Sequence, residues 1–211
     1  SVSLSRLTLS EESTYYVSVR ATDGAGNVSS VLTGDGIYID LTNPVAGAVI
    51  DGTTADINYT ASNSTLTFTW SDFSDGQSGI EYYNASIEDD DGNSVVPVTN
   101  VGTVTTWTVN NLSLVNAKTY EGVIQAVDYA GNVSTEVSSS VIVDTDGPVA
   151  GQVADRDNND VEWISSTSTT NIHWENFSDT LSGIDHYEYA IGTSLGGSQA
   201  LAWTNALNTD T

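Results

Sequence analysis

The sequence contains no cysteine and no methionine, and only four of its 211 residues are lysine or arginine. Without cysteine, neither a disulfide nor thiol chemistry can contribute to the fold or the function. Against those four cations stand 28 Asp and Glu residues, which give a net charge of −24. We therefore expect the chain to be repelled by nucleic acid and by anionic membrane surfaces. The absence of an initiator methionine predicts an internal segment or a processed chain.

Long apolar runs and catalytic signatures are also missing. No run of about eighteen apolar residues and no signal peptide with a basic start is present, so we expect no insertion of this segment into a membrane. The only histidines are His173 and His186, and no Gly-x-Ser-x-Gly elbow occurs. We expect no enzymatic activity.

What the sequence does contain is a long-period repeat. "ATDGAGNVSS" at residues 21–30 returns as "AVDYAGNVST" at residues 126–135, 105 residues later. "WSDFSDGQSGIEYY" from Trp70 returns as "WENFSDTLSGIDHY" from Trp174, 104 residues later. A period of this size is a whole domain, whereas a solenoid unit is shorter.

Within each period, apolar residues alternate with polar ones. In "TLTFTW", Leu66, Phe68 and Trp70 share one face, and no segment carries a helical stripe. Short strands about ten residues apart, joined by Gly, Asn and Asp turns, predict an all-β fold of tandem immunoglobulin/fibronectin type III-like β-sandwiches. Strands A, B, C, C′, E, F and G are predicted near residues 45–50, 64–70, 80–88, 94–98, 104–109, 119–127 and 138–144.

The repeat predicts three parts. Residues 44–147 form one complete sandwich, residues 1–43 hold strands E, F and G of a preceding one, and residues 148–211 hold strands A to C′ or E of a following one. Two explanations remain open. Either the chain is cut out of phase from a longer array, or the leading strands of one copy complete the trailing strands of another, head to tail.

The runs "VIDGTTADINYTASNSTLTFTWSDFSDGQSGIEYY", "TYEGVIQAVDYAGNVS" and "VIVDTDGP" resemble fibronectin type III-like and bacterial immunoglobulin-like repeats. Such repeats belong to large secreted or cell-surface proteins of bacteria. The resemblance implies an extracellular fibre, adhesin stalk or surface appendage, with neighbouring repeats or further copies of the same protein as partners. The fold alone does not decide among these roles.

Several residues have structural roles in this scheme. The turn between strands F and G requires residues that accept positive φ and an Asp that can bond to the turn backbone. These are Asp23, Gly26 and Asn27 in one copy, and Asp128, Gly131 and Asn132 in the next. Tyrosine corners are predicted at Tyr15 and Tyr120, and core tryptophans on strand B at Trp70 and Trp174.

Acidic residues are concentrated in the loops that the predicted strand order places at the two ends of the sandwich. Calcium prefers six to eight oxygen ligands. Acidic clusters at the domain junctions therefore predict a Ca²⁺ ion that bridges neighbouring domains. The alternative is that these acidic loops are simply solvated. One junction would hold Asp40, Asp72, Asp75 and Asp128. The other would hold Asp51, Asp56, Asp89, Asp90, Asp91, Asp144, Asp146, Glu175 and Asp179.

A second function remains open, namely that of a carbohydrate-binding β-sandwich module. It requires two or three coplanar aromatic side chains on an exposed face. The candidates are Trp107, Trp163, Trp203, Tyr82 and Tyr83.

Overall fold

The computed structural model describes residues 2–155 and 161–206, and within these ranges the chain is all-β. No helix in that part of the chain is long and apolar enough to cross a membrane. The described strands are β1 (Ser13–Tyr15), β2 (Ser18–Val19), β3 (Leu32–Thr33), β4 (Ile37–Ile39), β5 (Ala48–Asp51), β6 (Tyr59–Thr60), β7 (Leu66–Ser71), β8 (Ile80–Asp89), β9 (Ser94–Gly102), β10 (Thr106–Val109), β11 (Thr119–Asp128), β12 (Val137–Val143), β13 (Gln152–Ala154), β14 (His173–Glu175), β15 (Glu188–Ile191) and β16 (Leu201–Asn205).

Residue contacts divide the chain into two compact units. The first consists of Ser1–Asn58, Ser64–Ser113 and Lys118–Ile142, and the second of Tyr59–Asn63, Leu114–Ala117 and Val143–Thr211. For comparison with the sequence repeat we call residues 2–43 the leading segment, residues 44–147 the central segment and residues 148–206 the trailing segment. The sequence boundaries at 43/44 and 147/148 stay predictions.

The central segment is built on two antiparallel sheets. One has the strand order β10-β7-β5, and the other has the order β6-β12-β11-β8-β9. Strand β7 shows why they pack as a sandwich: Leu66, Phe68 and Trp70 are at most 4% exposed, while the threonines between them are only half-buried. The predicted alternation on "TLTFTW" is therefore the pattern of one buried face, and the predicted all-β sandwich fold is confirmed.

The core joins the two sheets. Trp70 on β7 packs in one buried cluster with Tyr83 and Ala85 on β8 and with Ile124 and Ala126 on β11. The rings of Trp70 and Tyr83 meet edge to face with centroids 5.5 Å apart, a favoured aromatic geometry.

Gly122 on β11 permits the close approach of the two sheets. A Cβ at this position would lie 2.4 Å from a ring carbon of Phe68. Because well-packed cores resist added methyl groups, the absence of a side chain here is part of the packing.

The strands predicted from the sequence mostly coincide with those observed. Strand β8 begins at the predicted residue, whereas β9 continues to Gly102, beyond the predicted end of C′. The short strand β6 was not predicted. Residues 2–12 contain no strand. That residues 1–43 hold strands E, F and G of a preceding repeat stays a prediction.

Strand registers recur from one segment to the next. In the trailing segment β13 pairs with β14 so that Val153 lies opposite Trp174. In the central segment β5 pairs with β7 so that Val49 lies opposite Trp70, the same register 104 residues earlier.

The strand pairing in the leading segment repeats the register of β11 with β12, the last two strands of the central segment. There Val19 on β2 lies opposite Leu32 on β3. In the central segment Ile124 on β11 lies opposite Val137 on β12, 105 residues later. The sequence repeat is thus a repeat of backbone pairing as well as of residue type.

The two predicted tyrosine-corner residues lie on the corresponding strands, β1 and β11. Tyr15 ends β1, and its hydroxyl accepts a hydrogen bond from the backbone N–H of Ser10 at 2.8 Å. Tyr120 lies at the start of β11 and is 3% exposed. Both tyrosines therefore sit where the chain enters strand F.

Candidate metal site

Three aspartates converge at one end of the central segment. Asp40 follows β4, Asp75 lies in the loop between β7 and β8, and Asp128 ends β11. One carboxylate oxygen from each lies within 4.8 Å of those of the other two. Asp128 is fully buried and Asp40 is 6% exposed, while Asp75 is half-buried.

Backbone N–H groups hold these carboxylates in place. Asp128 Oδ1 accepts from the N–H groups of Ala130 and Asn132, both at 2.8 Å. Asp75 Oδ1 accepts from the N–H groups of Gln77 at 3.0 Å and Gly79 at 2.6 Å. Such Asp turns form locally, which is why short "SDGQSG" and "DYAGN" stretches suffice to position the acids.

Asp40 is held by residues from two loops. Its two carboxylate oxygens accept from the N–H groups of Thr42 and Ser78, each at 3.0 Å. Hydrogen bonding by Ser78 and by the backbone N–H of Thr42 lowers the pKa of Asp40 despite its burial. Asp40 is therefore a carboxylate at neutral pH.

No Lys or Arg pairs with this cluster among the described residues. Three carboxylates in close proximity repel one another unless a cation lies between them. Hard oxygen ligands of this kind fit Ca²⁺ or another hard divalent cation. The cluster could supply three of the six to eight oxygen ligands that Ca²⁺ takes. The side-chain oxygen of Gln77, in the loop of Asp75, is buried without a hydrogen-bond donor in the part of the chain that the structure describes.

Asp72 was predicted in this group and lies outside it. Its carboxylate accepts from the hydroxyl of the neighbouring Ser71 at 2.8 Å. Its φ of 63° lies in the left-handed region directly after β7. The sequence pattern did not reveal this backbone conformation.

The same pattern of aspartates that accept backbone N–H groups recurs 104 residues later in the sequence. Asp179 Oδ1 accepts from the N–H groups of Leu181 at 3.0 Å and Gly183 at 2.8 Å. The N–H of Ser182 lies within 3.2 Å of Asp144 Oδ2 and within 2.8 Å of Asp179 Oδ1, so these two carboxylates adjoin. They occupy the places that Asp40 and Asp75 have in the first cluster.

The leading segment holds a counterpart of Asp128. Asp23 Oδ1 accepts from the N–H groups of Ala25 and Asn27, and its Oδ2 accepts from the Asn27 side chain. Hydrogen bonding by Asn27 lowers the pKa of Asp23. Gly26 and Gly131 have φ of 91° and 90°, so the two F–G turns share one backbone conformation.

Three aspartates of the second predicted junction lie around one lysine. Asp89, Asp90 and Asp91 form a separate cluster around Lys118, whose Nζ lies 2.6 Å from Asp89 Oδ2 and 2.7 Å from Asp91 Oδ2. Hydrogen bonding to Lys118 holds the pKa of Asp89 well below its usual range, and the carboxylates raise that of Lys118. The lysine thus takes the place that a metal cation would have.

The remaining predicted ligands lie in other environments. Asp146 accepts a hydrogen bond from the Asn116 side chain at 2.9 Å. Glu175 ends β14, where its carboxylate lies 3.9 Å from His173. Neither belongs to a group of three acidic side chains in the described ranges.

The buried Asp51 and the exposed Asp56 form a carboxyl pair. Asp51 is 1% exposed, and its Oδ1 accepts from the N–H of Ile57 at 2.8 Å. Asp56 Oδ1 accepts from the hydroxyl of Ser139 at 3.0 Å. Burial, together with the neighbouring Asp56, raises the pKa of Asp51 to about 6, while hydrogen bonding by Asp51 lowers the pKa of Asp56.

Two of the aromatic residues predicted for carbohydrate stacking lie in or against the core. Tyr83 is buried, and Trp107 packs against the core cluster. Trp163 and Trp203 are 88% and 60% exposed, the first outside any strand and the second on β16. Two of the five candidates for carbohydrate stacking are therefore part of the sandwich core.

No protein-family model matches the chain, and no curated protein matches it. Among solved structures it is similar to "Twitchin kinase region from C.elegans (Fn31-NL-kin-CRD-Ig26)", with 17% identity and a TM-score of 0.35 over 50% of this chain and 17% of that chain. It is similar to "Ca2+-stabilized adhesin helps an Antarctic bacterium reach out and bind ice", with 22% identity and a TM-score of 0.35 over 67% of this chain and 34% of that chain. It is also similar to "Crystal structure of domains A168-A170 from titin", with 18% identity and a TM-score of 0.41 over 64% of this chain and 42% of that chain. The chain thus spans less than half the length of each, and likenesses at these identities and TM-scores say nothing about its function.

The Asp51–Asp56 pair makes stability depend on pH. In the unfolded chain Asp51 titrates near its ordinary value of about 3.9, so the folded state binds this proton more tightly. The contribution of Asp51 to the free energy of unfolding is fully present below its unfolded-state pKa, and it is lost as the pH rises through about 6. We expect the free energy of unfolding to rise by on the order of 1 kcal/mol between pH 7.5 and pH 5 from this group.

Thermal melts of the wild-type chain and of Asp51→Asn across this range measure the effect. The amide of Asp51→Asn donates to Asp56 at every pH, so its melting temperature should vary less with pH than that of the wild type. Asp72→Asn, at an exposed position, should follow the wild type. If the melting temperatures of the wild type and of Asp51→Asn changed with pH in parallel, the raised pKa of Asp51 would be contradicted.

Proposed function

We propose that the chain is a structural segment of a tandem array of immunoglobulin-like β-sandwich repeats in an extracellular or bacterial cell-surface protein. It acts as a spacer or stalk and not as an enzyme. The observation that supports this most is the return of the same strand registers after 104 to 105 residues, on both sides of the central segment. A fold repeated in this way adds length with each copy.

The long ladders of the central segment suit a load-bearing role. Strands β8 and β11 are ten residues each and pair antiparallel along almost their whole length. A strand of that length spans roughly 33 Å, so each repeat adds a few nanometres to the array. The high content of acidic residues keeps such an array soluble and is tolerated where salt or divalent cations screen it.

We further propose that Ca²⁺ binds at Asp40, Asp75 and Asp128 and stiffens the connection between repeats. Asp40 precedes the central segment, whereas Asp75 lies in one of its loops and Asp128 ends its strand β11. A cation held by all three would restrict the backbone at the connection. The convergence of the three carboxylates without a paired lysine or arginine, in the part of the chain the structure describes, supports this site.

The carbohydrate-binding alternative has less support. Tyr83 and Trp107 contribute to the core, so an exposed face of several coplanar rings would have to be built from the remaining candidates. We therefore do not propose it.

Force spectroscopy on the full chain, held at its two ends, tests the structural role. If the central segment unfolds as one unit of 104 residues, each event should lengthen the chain by about 30 nm, because an extended residue spans at most ~3.6 Å. Gly122→Ala should lower the peak force because its methyl group would collide with the Phe68 ring, whereas Gly76→Ala, in open space, should leave it unchanged. A smooth extension without such a peak would contradict the proposal.

Thermal melts in millimolar Ca²⁺ and in EDTA test the metal site. A ligand that binds only the folded state stabilises it by about 2.7 kcal/mol at one hundred times its dissociation constant. Asp75→Asn should lose most of the Ca²⁺-dependent rise in melting temperature, because an amide keeps the turn but removes the charge. Asp72→Asn, in the same loop but outside the cluster, should retain it. An equal Ca²⁺-dependent rise in melting temperature in the two variants, or no such rise in the wild type, would contradict the proposed metal site.

A further inference from the structure

A carboxyl pair lies where the chain of the central segment crosses from one sheet to the other. Strand β5, which ends at Asp51, belongs to the three-stranded sheet, and β6 belongs to the five-stranded sheet. Asp56 lies in the connection between these strands, and its Oδ1 accepts a hydrogen bond from the hydroxyl of Ser139 on β12. The pair is therefore placed at the crossover between the two sheets.

Asp51 has one oxygen that lacks a partner. The residue is 1% exposed, and its Oδ1 accepts from the N–H of Ile57 at 2.8 Å. Its Oδ2 is buried and has no hydrogen-bond donor in the part of the chain that the structure describes. A buried polar atom is normally satisfied, because leaving it bare costs the free energy of its desolvation. Asp51 Oδ2 therefore lacks the partner that a buried carboxylate oxygen normally has.

Asp56 brings a second carboxyl group to the same place. Its Oδ1 accepts from the N–H of Asp51 at 3.2 Å. Burial and the neighbouring Asp56 raise the pKa of Asp51, and hydrogen bonding by Asp51 lowers the pKa of Asp56, so the two carboxyl groups face each other. Asp56 is exposed, which gives an ion a path from solvent and leaves room for water ligands on that side.

No basic side chain neutralises this pair in the described ranges. The salt bridges there use Lys118, His173 and His186, and none of them involves Asp51 or Asp56. Two facing carboxylates repel each other unless a proton or a cation lies between them. Carboxylate oxygens are hard ligands, which suit Mg²⁺, Ca²⁺ and Mn²⁺.

The same two acids return in the sequence repeat. Asp155 and Asp160 stand 104 residues after Asp51 and Asp56, whereas the four residues between the acids change from "GTTA" to "RDNN". Asp160 lies outside the described residues, so this recurrence is one of sequence alone. The repeat keeps the two acids while the loop between them changes, which favours a role for the pair itself.

We propose that Asp51 Oδ2 and the carboxylate of Asp56 bind Ca²⁺ or another hard divalent cation. The bound ion holds the end of β5 against the connection that leads into the other sheet. This site goes beyond the proposed function, because it shares no residue with the site at Asp40, Asp75 and Asp128. Two carboxylates and water make a weak site, with a dissociation constant on the order of 10⁻⁴ to 10⁻³ M, as in other extracellular modules.

Amide NMR of the full chain with Mn²⁺ locates the ion, because Mn²⁺ takes the same oxygen ligands and broadens the signals of nearby amides. The measurement uses the Asp75→Asn chain, in which the first metal site is disabled. Mn²⁺ should broaden the amide signals of Asp51, Ile57 and Ser139, and an excess of Ca²⁺ should restore them.

Three further substitutions in the same background test the ligands. Asp51→Asn should abolish the broadening at Ile57 and Ser139. Asp56→Asn should raise the Mn²⁺ concentration at half-maximal broadening by about tenfold or more, the range in which the loss of a supporting group weakens metal sites. Asp72→Asn, at an exposed aspartate outside both sites, should leave that concentration unchanged.

Three amide signals that stay sharp at millimolar Mn²⁺ would overturn the inference, as would broadening of equal extent in Asp51→Asn. If Asp51→Asn did not fold, its amide spectrum would show this, and Asp56→Asn at its exposed position would then decide. Unchanged Mn²⁺ binding in Asp56→Asn would also overturn the inference.

The first metal site is read out separately. In the wild-type chain its ion should broaden the amides of Gln77 and Ala130, whose N–H groups are bonded to Asp75 and Asp128. The failure of one site is therefore distinguishable from the failure of the other.

Discussion

The fold of the central segment depends on one set of apolar contacts, in which Trp70 packs across the sandwich against Tyr83, Ile124 and Ala126. These residues come from the consecutive strands β7 and β8 and from β11, which lies much later in the sequence. Because side chains alternate along a strand, a slip of one residue in any of the three would turn the buried set toward solvent. The core therefore fixes the strand registers, and the registers fix which loops meet at each end.

The acidic clusters follow from that arrangement. Each aspartate of the first cluster accepts backbone N–H groups of its own loop, so it has a local structural reason to be there. The loops then converge because β7 and β11 end, and β8 begins, at the same pole. Local turn formation thus concentrates negative charge at the connection between repeats. A cation is the simplest partner for this charge where no lysine or arginine pairs with it in the described ranges.

Much of this could be predicted from the sequence. The alternation on residues 65–70 predicted the buried face of β7, and the long-period repeat predicted that strands recur after 104 to 105 residues. The predicted convergence of Asp40, Asp75 and Asp128 required only the strand order of a sandwich. The structure places all three together, although no ion is part of it.

Other features could not be read from the chain. The pairing of Lys118 with Asp89 and Asp91 depends on the exact spacing across two strands. The burial of Asp51 depends on the fold around it, and its partner Asp56 also accepts a hydrogen bond from Ser139, 83 residues away. Asp72 stands beside Asp75 in the sequence pattern, yet its backbone has a positive φ and its side chain lies outside the cluster. In the first two cases a long-range contact decided the outcome, and in the third the sequence pattern did not reveal the local backbone conformation.

Amide hydrogen exchange across the full chain tests the central claim most directly, namely that the cross-sheet core holds the central segment together as one cooperative unit. The account predicts that amides of β7, β8 and β11 exchange slowest and share one opening free energy, since they open only when the core does. Amides of β1 to β4 and of β13 to β16, which lack that core, should exchange faster in dilute protein. Protection that is uniform along the chain, or that is lower in β8 and β11 than in the flanking strands, would contradict the account.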